Sequence, residues 1–158
     1  MSSRTNIPGT SPYEPIIGFS RAVRIGNVVH VSGTGPVGAE DLSPAEQTRA
    51  VLAIIERALT QAGASFEHVV RTRIFLARAE VWEEVGRAHG EVFGTIRPAS
   101  TMVVATLLNP KWHVEIEAEA VLPEYTSTSH RAIGYPSRNA QAVHPRPRPH
   151  RQACPHPR

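Results

Sequence analysis

Cysteine occurs once in the 158 residues, at Cys154. One thiol excludes an intrachain disulfide, a C-x-x-C redox pair and a cysteine-based zinc site. No apolar run approaches the ~20 residues that a membrane span needs. The N-terminal MSSRTNIPGTSPYEP has no apolar h-region and does not read as a secretory signal. A reduced, cytoplasmic compartment without membrane association is the expectation. Acidic residues are missing altogether from Thr126 onward, where six Arg, six Pro and four His fall. The net charge of +3 and the pI near 9.6 therefore report on this segment. Residues 1–125 hold eleven basic and fourteen acidic groups, so the body is mildly acidic.

The chain has a length suited to one domain. Residues 1–15, rich in Ser, Thr, Pro and Gly, read as an extended arm, and 126–158 as a disordered tail unable to bury a core. The domain then spans 16–125, with no internal repeat. AVRI, Gly26-Asn27 and VVHVSG read as two strands joined by a tight hairpin, since Gly and Asn tolerate positive φ. In SPAEQTRAVLAIIERALTQAG, Ser43 is a natural N-cap, Pro44 fits the first turn and Glu46 completes a capping box. Ala45, Thr48, Leu52, Ile55, Leu59 and Ala62 keep helical spacing, and Gly63 supplies the stop.

Val69 to Leu76 alternates as a strand, and a second helix is expected over about 80–93, with Trp82, Val85, His89 and Val92 on one stripe and Gly94 as its stop. TMVVATLL and HVEIEAEAVL read as two further strands separated by Asn109-Pro110-Lys111. The order β-β-α-β-α-β-β predicts an α+β sandwich with a mixed sheet and two helices on one face. Its uncovered face would carry Glu115, Glu117 and Glu119 beside Arg71 and Arg73. That face is too polar for a core, and an interface between copies of the chain would accommodate it.

Chemistry is harder to read. Of the glutamates, Glu115 is nearest a loop and suited to positioning water or moving a proton, but spacing does not choose among the three. His89-x-Glu91 is too closely spaced for both to share a helix face, and neither His30 nor His113 has a second ligand at credible spacing, so no metal is expected. Gly33-Thr34-Gly35-Pro36 lacks the phosphate-loop pattern; it is either a turn or a set of exposed N–H groups for a small anion. No G-x-S-x-G elbow is present. Arg97, Ser100 and Thr101 belong to a helix-to-strand connection that is either plain surface or a ligand contact.

Several segments, in order and with similar gaps, resemble the Rid family of YjgF-like reactive intermediate deaminases. They are GFSRAVRIGNVVHVSGTGPV (18–37), QAGASFEHVVRTRIFL (61–76), GRAHGEVF (86–93) and RPASTMVV with HVEIEAEAV (97–121). The resemblance covers about 18–122. It implies a chorismate-mutase-like fold, a homotrimer with ligand clefts between subunits, and cofactor-free hydrolysis of enamines or imines to keto acids and ammonia. By this resemblance Glu115 holds the attacking water, and Ser32, Gly33 and Thr34 supply the Ser-Gly loop. The chain departs from the pattern at three places. The arginine that clamps a substrate carboxylate falls on Ser100, the tyrosine on Phe19, and an asparagine of the second helix on Gly86.

Losing a charge-assisted pair costs on the order of 2–5 kcal/mol, so Arg97, Arg21 or Arg73 would have to replace the missing cation. Phe19, Arg21, Ser32, Gly33, Thr34, Arg73, Arg97, Ser100 and Thr101 are thus the expected binding set around a small carboxylate or carbonyl metabolite. Two alternatives stand beside the hydrolase. One is a ligand-binding trimer that has lost the chemistry. The other is RNA binding or endoribonuclease activity, which has only the basic tail as electrostatic support.

Overall fold

The computed structural model describes residues 3–123, so the Pro/Arg/His-rich tail lies outside the described residues. The N-terminal arm is extended but not free. Arg4–Ile7 forms β1, which pairs antiparallel with β2 (Ala22–Ile25) and buries Ile7. A wide helical turn over Glu14–Gly18 separates the two. β2 and β3 (Val28–Thr34) pair across Gly26-Asn27, and of those two residues Gly26 takes the positive φ, +59°.

Helix α1 (Pro44–Gln61) begins with the expected capping box. The Ser43 hydroxyl accepts the Glu46 N–H at 3.4 Å, while the Glu46 carboxylate accepts the Ser43 N–H at 3.1 Å. Such a cap is worth about 1 kcal/mol. The helix closes at Gly63, where φ is +78°. β4 (Val69–Leu76) is followed by α2 (Trp82–Phe93), β5 (Ala99–Val104) and β6 (Val114–Val121).

The six strands lie in the order β1-β2-β3-β6-β4-β5, antiparallel throughout except for the β4–β5 pair. From Ala22 onward the element order is the one the sequence predicts, and the α+β architecture is as expected. Strand β6 is central, and its strict alternation explains the layers. Val114, Ile116, Ala118 and Ala120 are buried with Val51, Ile55 and Leu59 of α1 in the core. Glu115, Glu117 and Glu119 therefore project from the opposite face.

Three local expectations change. Helix α2 buries Val85, Ala88 and Phe93, whereas Trp82, at its first turn, is 59% exposed. The fifth strand starts at Ala99 and ends at Val104, leaving Leu108 almost wholly exposed. Gly94 ends α2 in a right-handed conformation, and the left-handed residue of this connection is Arg97, with φ +53°.

Candidate functional site

Strands β3 and β6 do not pair residue for residue. Val31 opposes Ala118 and Thr34 opposes Ile116, so Ser32 and Gly33 together face Glu117 alone. This bulge turns the strand locally and frees its backbone. Several bonds hold it. The Ser32 N–H donates to the Arg21 carbonyl at 3.0 Å, the Ser32 hydroxyl to the Ser20 carbonyl at 2.6 Å, and the Thr34 hydroxyl to the Ser32 carbonyl at 2.8 Å. Arg21 Nη1 donates to the Gly33 carbonyl and to Thr34 Oγ1, each at 2.8 Å.

Glu115 lies against this bulge. A Cβ built on Gly33 would overlap its Oε1, so the absent side chain at Gly33 is what admits the carboxylate. Burial pushes the Glu115 carboxyl above the usual carboxylate range; the Glu117 charge adds to the push and Arg21 opposes it. Burial likewise lowers the Arg21 guanidinium, against the attraction of Glu14 and Glu115. Phe75 opposes Glu115 in register and so shares its face. A half-buried carboxyl with a raised proton affinity, beside backbone and a fixed cation, is suited to general acid–base chemistry.

The other expected residues divide. Arg73 bridges Glu117 and Glu119 at 3.1 Å each, so its charge is already matched within the sheet. Thr101 pairs with Arg73 in register and is exposed on the same face. Phe19 is half-buried where the chain leaves the wide turn. Arg97 is exposed and donates Nε to the Gly94 carbonyl at 3.1 Å, capping the end of α2.

Ser100 pairs with Thr72, and its hydroxyl accepts from Thr72 Oγ1 at 2.9 Å, on the helix side of the sheet. Thr72 Oγ1 also lies 3.1 Å from His89 Nε2, and burial lowers the pKa of that imidazole. Ser100 is three residues along and two strands across from Glu115, on the order of 14 Å away. Within one chain, then, Arg21, Ser32, Gly33, Thr34 and Glu115 come together, and Arg97 and Ser100 do not join them.

Residues 9–122 match the family described as Endoribonuclease L-PSP. The 3-aminoacrylate deaminase RutC of Acinetobacter baylyi is 32% identical over 117 residues, which cover 71% of this chain and 91% of RutC. A protein of uncharacterized function from Streptomyces coelicolor is 37% identical over 115 residues, 70% of this chain and 86% of its own length. A Mycobacterium tuberculosis crystal structure, of a member of the highly conserved YjgF/YER057c/UK114 family, is 49% identical. It covers 76% of this chain and 100% of that one, with a TM-score of 0.72. The chain belongs to the YjgF family. A Neisseria meningitidis YjgF protein, 31% identical, covers 78% of this chain and 98% of its own with a TM-score of 0.68. The chorismate-mutase-like α+β fold implied by the sequence resemblance is thus the fold of this YjgF-family chain.

One positioning residue escaped the sequence reading. Gln47 of α1 is fully buried and ties the helix to the segment that leads into β6. Its Nε2 donates to the carbonyls of Glu40 (2.9 Å), Lys111 (3.0 Å) and Leu42 (3.3 Å), and its Oε1 accepts the His113 N–H at 2.7 Å. Glutamine inside a helical pattern carries no sign of this role, because its partners are carbonyls brought in by the tertiary fold. Trp112, next in this segment, lays its ring on Gly35, and its buried indole N–H has no acceptor among the described residues.

Proposed function

We propose that this YjgF-family chain hydrolyses the C=N bond of a small imine, or of the imine tautomer of an enamine, with Glu115 as the general base and acid. The observation that carries the reading is the seating of Glu115, half-buried against the Gly33 bulge with its pKa raised. In its ionised form the carboxylate takes a proton from water as the oxygen adds to the imine carbon, and passes that proton to the nitrogen, which gives a neutral carbinolamine and restores the carboxylate. Glu115 then takes the carbinolamine hydroxyl proton and delivers it to the nitrogen as the C–N bond breaks, so a C=O bond forms and ammonia leaves. A carboxyl with raised proton affinity suits both halves of that cycle, and such catalysis contributes typically 10²–10⁴-fold. The name of the A. baylyi relative, a 3-aminoacrylate deaminase, supports the same reaction class. The reading includes a cytoplasmic homotrimer, with the Glu115 face lining a cleft completed by a second copy.

The test is ammonia release from a 2-imino acid generated in situ by an amino-acid oxidase, with a non-carboxylated imine run in parallel. Wild type accelerates release, and Glu115→Gln loses about two orders of magnitude. No acceleration of either substrate by the wild-type chain would overturn the proposal.

A second reading rests on Ser100. With a hydroxyl bonded to Thr72 where the resemblance places a cation, the chain is a ligand-binding trimer without turnover. It would show thermal stabilisation by small carboxylates or carbonyl compounds and no ammonia. The family description, Endoribonuclease L-PSP, raises a third activity. Deleting 126–158 would then abolish a salt-sensitive RNA affinity.

A further inference from the structure

A cleft of about 610 Å³ opens on the helix side of the sheet, between the Pro8–Tyr13 stretch of the arm and α1. Glu115 does not line it, and β6 alternation puts that carboxylate on the other face. The volume falls within the range of preformed small-molecule sites, roughly 300–1,000 Å³. Apolar groups dominate its walls, among them Ile54 and Ala58 of α1, Val37 and the ring of Trp112.

Among the described residues, two arginines and no acidic residue line the cleft. Arg21 engages only Nη1 with protein acceptors, so its Nε and Nη2 have no partner among the described residues. Arg57 is exposed and forms no ion pair among them. The arm wall is anchored as well. The Gly9 N–H donates to both carboxylate oxygens of Glu14, at 2.9 and 3.1 Å, and Pro8 and Pro12 restrict the stretch that faces α1. Glu14, held on the Gly9 N–H, offsets part of the Arg21 charge, while Arg57 has no such counter-ion among the described residues, so this preformed apolar slot favours an anion with an apolar body.

We propose that this cleft is a binding site for a monocarboxylate carried on a flat or branched apolar group, with Arg57 and Arg21 facing the carboxylate and Ile54, Ala58 and Trp112 the apolar part. The site does not include Glu115. The two share Arg21, whose guanidinium lies beside the Gly33 bulge on one side and lines the cleft on the other.

The experiment is titration calorimetry of the full chain with 2-naphthoate and with 2-naphthylmethanol, its uncharged counterpart. Naphthoate binds saturably, and the alcohol binds at least about tenfold more weakly, the factor that one charge-assisted contact of ~1.4 kcal/mol supplies. Arg57→Gln, a change at an exposed position, lowers naphthoate affinity by about the same factor. Ile54→Trp fills the slot and removes binding, with the melting profile confirming that the variant is folded. Glu115→Gln does not weaken naphthoate binding. The proposal is overturned if wild type binds neither compound, or binds both equally. It is also overturned if Arg57→Gln and Ile54→Trp both keep wild-type affinity. Loss of naphthoate binding in Glu115→Gln would move the ligand to the sheet face and overturn it as well. None of these outcomes alters the ammonia assay, so failure here is separable from failure of the hydrolase reading.

Discussion

Replacing Gly33 by alanine moves the Glu115 carboxylate while leaving its chemistry and the core alone. The added Cβ overlaps Oε1 and stands 3.3 Å from Cδ of Glu115. To regain an ordinary van der Waals separation, Oε1 must withdraw by about 1 Å. The obstacle is the far end of a flexible side chain, and Gly33 is not among the residues with positive φ. The cost in stability is therefore small, under about 1 kcal/mol, because a rotamer adjustment absorbs the clash. The cost in rate is not small. A misplacement of about 1 Å in a reacting group lowers turnover on the order of 10²-fold. In the ammonia assay Gly33→Ala should thus approach Glu115→Gln, while its denaturation midpoint stays near wild type. Wild-type turnover in Gly33→Ala would refute the reasoning, since it would show that Glu115 need not sit against the bulge. A large stability loss would refute it differently, by showing that Glu115 cannot move.

The stability of Glu115→Gln follows from its raised pKa. The folded protein holds that proton at pH values where the unfolded chain has released it, so wild-type stability falls as pH rises through the folded value. Glu115→Gln should be more stable than wild type at pH 8, with the advantage fading below the ordinary glutamate value of about 4.3; urea titrations at the two pH values check it. Arg97→Gly relieves a left-handed backbone that costs a non-glycine residue roughly 1–2 kcal/mol, offset in part by unfolded-state entropy. It should be neutral to about 1 kcal/mol stabilising and leave turnover intact, whereas lost turnover would mean that Arg97 anchors the ligand. Gln47→Leu removes four hydrogen bonds made by a fully buried amide and should cost about 3 kcal/mol. A loss below 1 kcal/mol in denaturant titration would show that water replaces the amide.

The parts of this fold legible in the sequence are those whose causes are local. The α1 capping box, the Gly63 stop and the Gly26 turn each depend on residues within a few positions of one another. The β6 alternation carries the division between core and open face, because a strand paired on both sides exposes its period directly. β1 was not legible as a strand. RTNI is short and polar, and only pairing with β2 makes it one. The Ser32–Gly33 bulge depends on the register against β6, more than eighty residues later. Trp82 misled the helix reading because apolar spacing does not reveal that a first-turn residue projects beyond the packed face.

Position 100 shows how much of the site depends on such long-range register. The sequence places a serine where the family resemblance expects a carboxylate-clamping arginine, and composition alone would make it a small polar contact for the ligand. Parallel pairing sets Ser100 beside Thr72, and Thr72 faces the helix layer, where His89 reaches it. The exposed serine therefore joins a hydrogen-bonded chain that runs through buried Thr72 to half-buried His89. Among the replacement cations, Arg73 is already matched by two glutamates and Arg97 caps a helix end. Arg21 remains, and one of its nitrogens already holds the bulge against which Glu115 rests. Removing Arg21 would disturb the carboxylate's seat, its charge balance and the apolar cleft together. Gly33, Glu115, Arg57 and Ile54 each touch one of those functions at a time, so substitutions there separate what Arg21 joins.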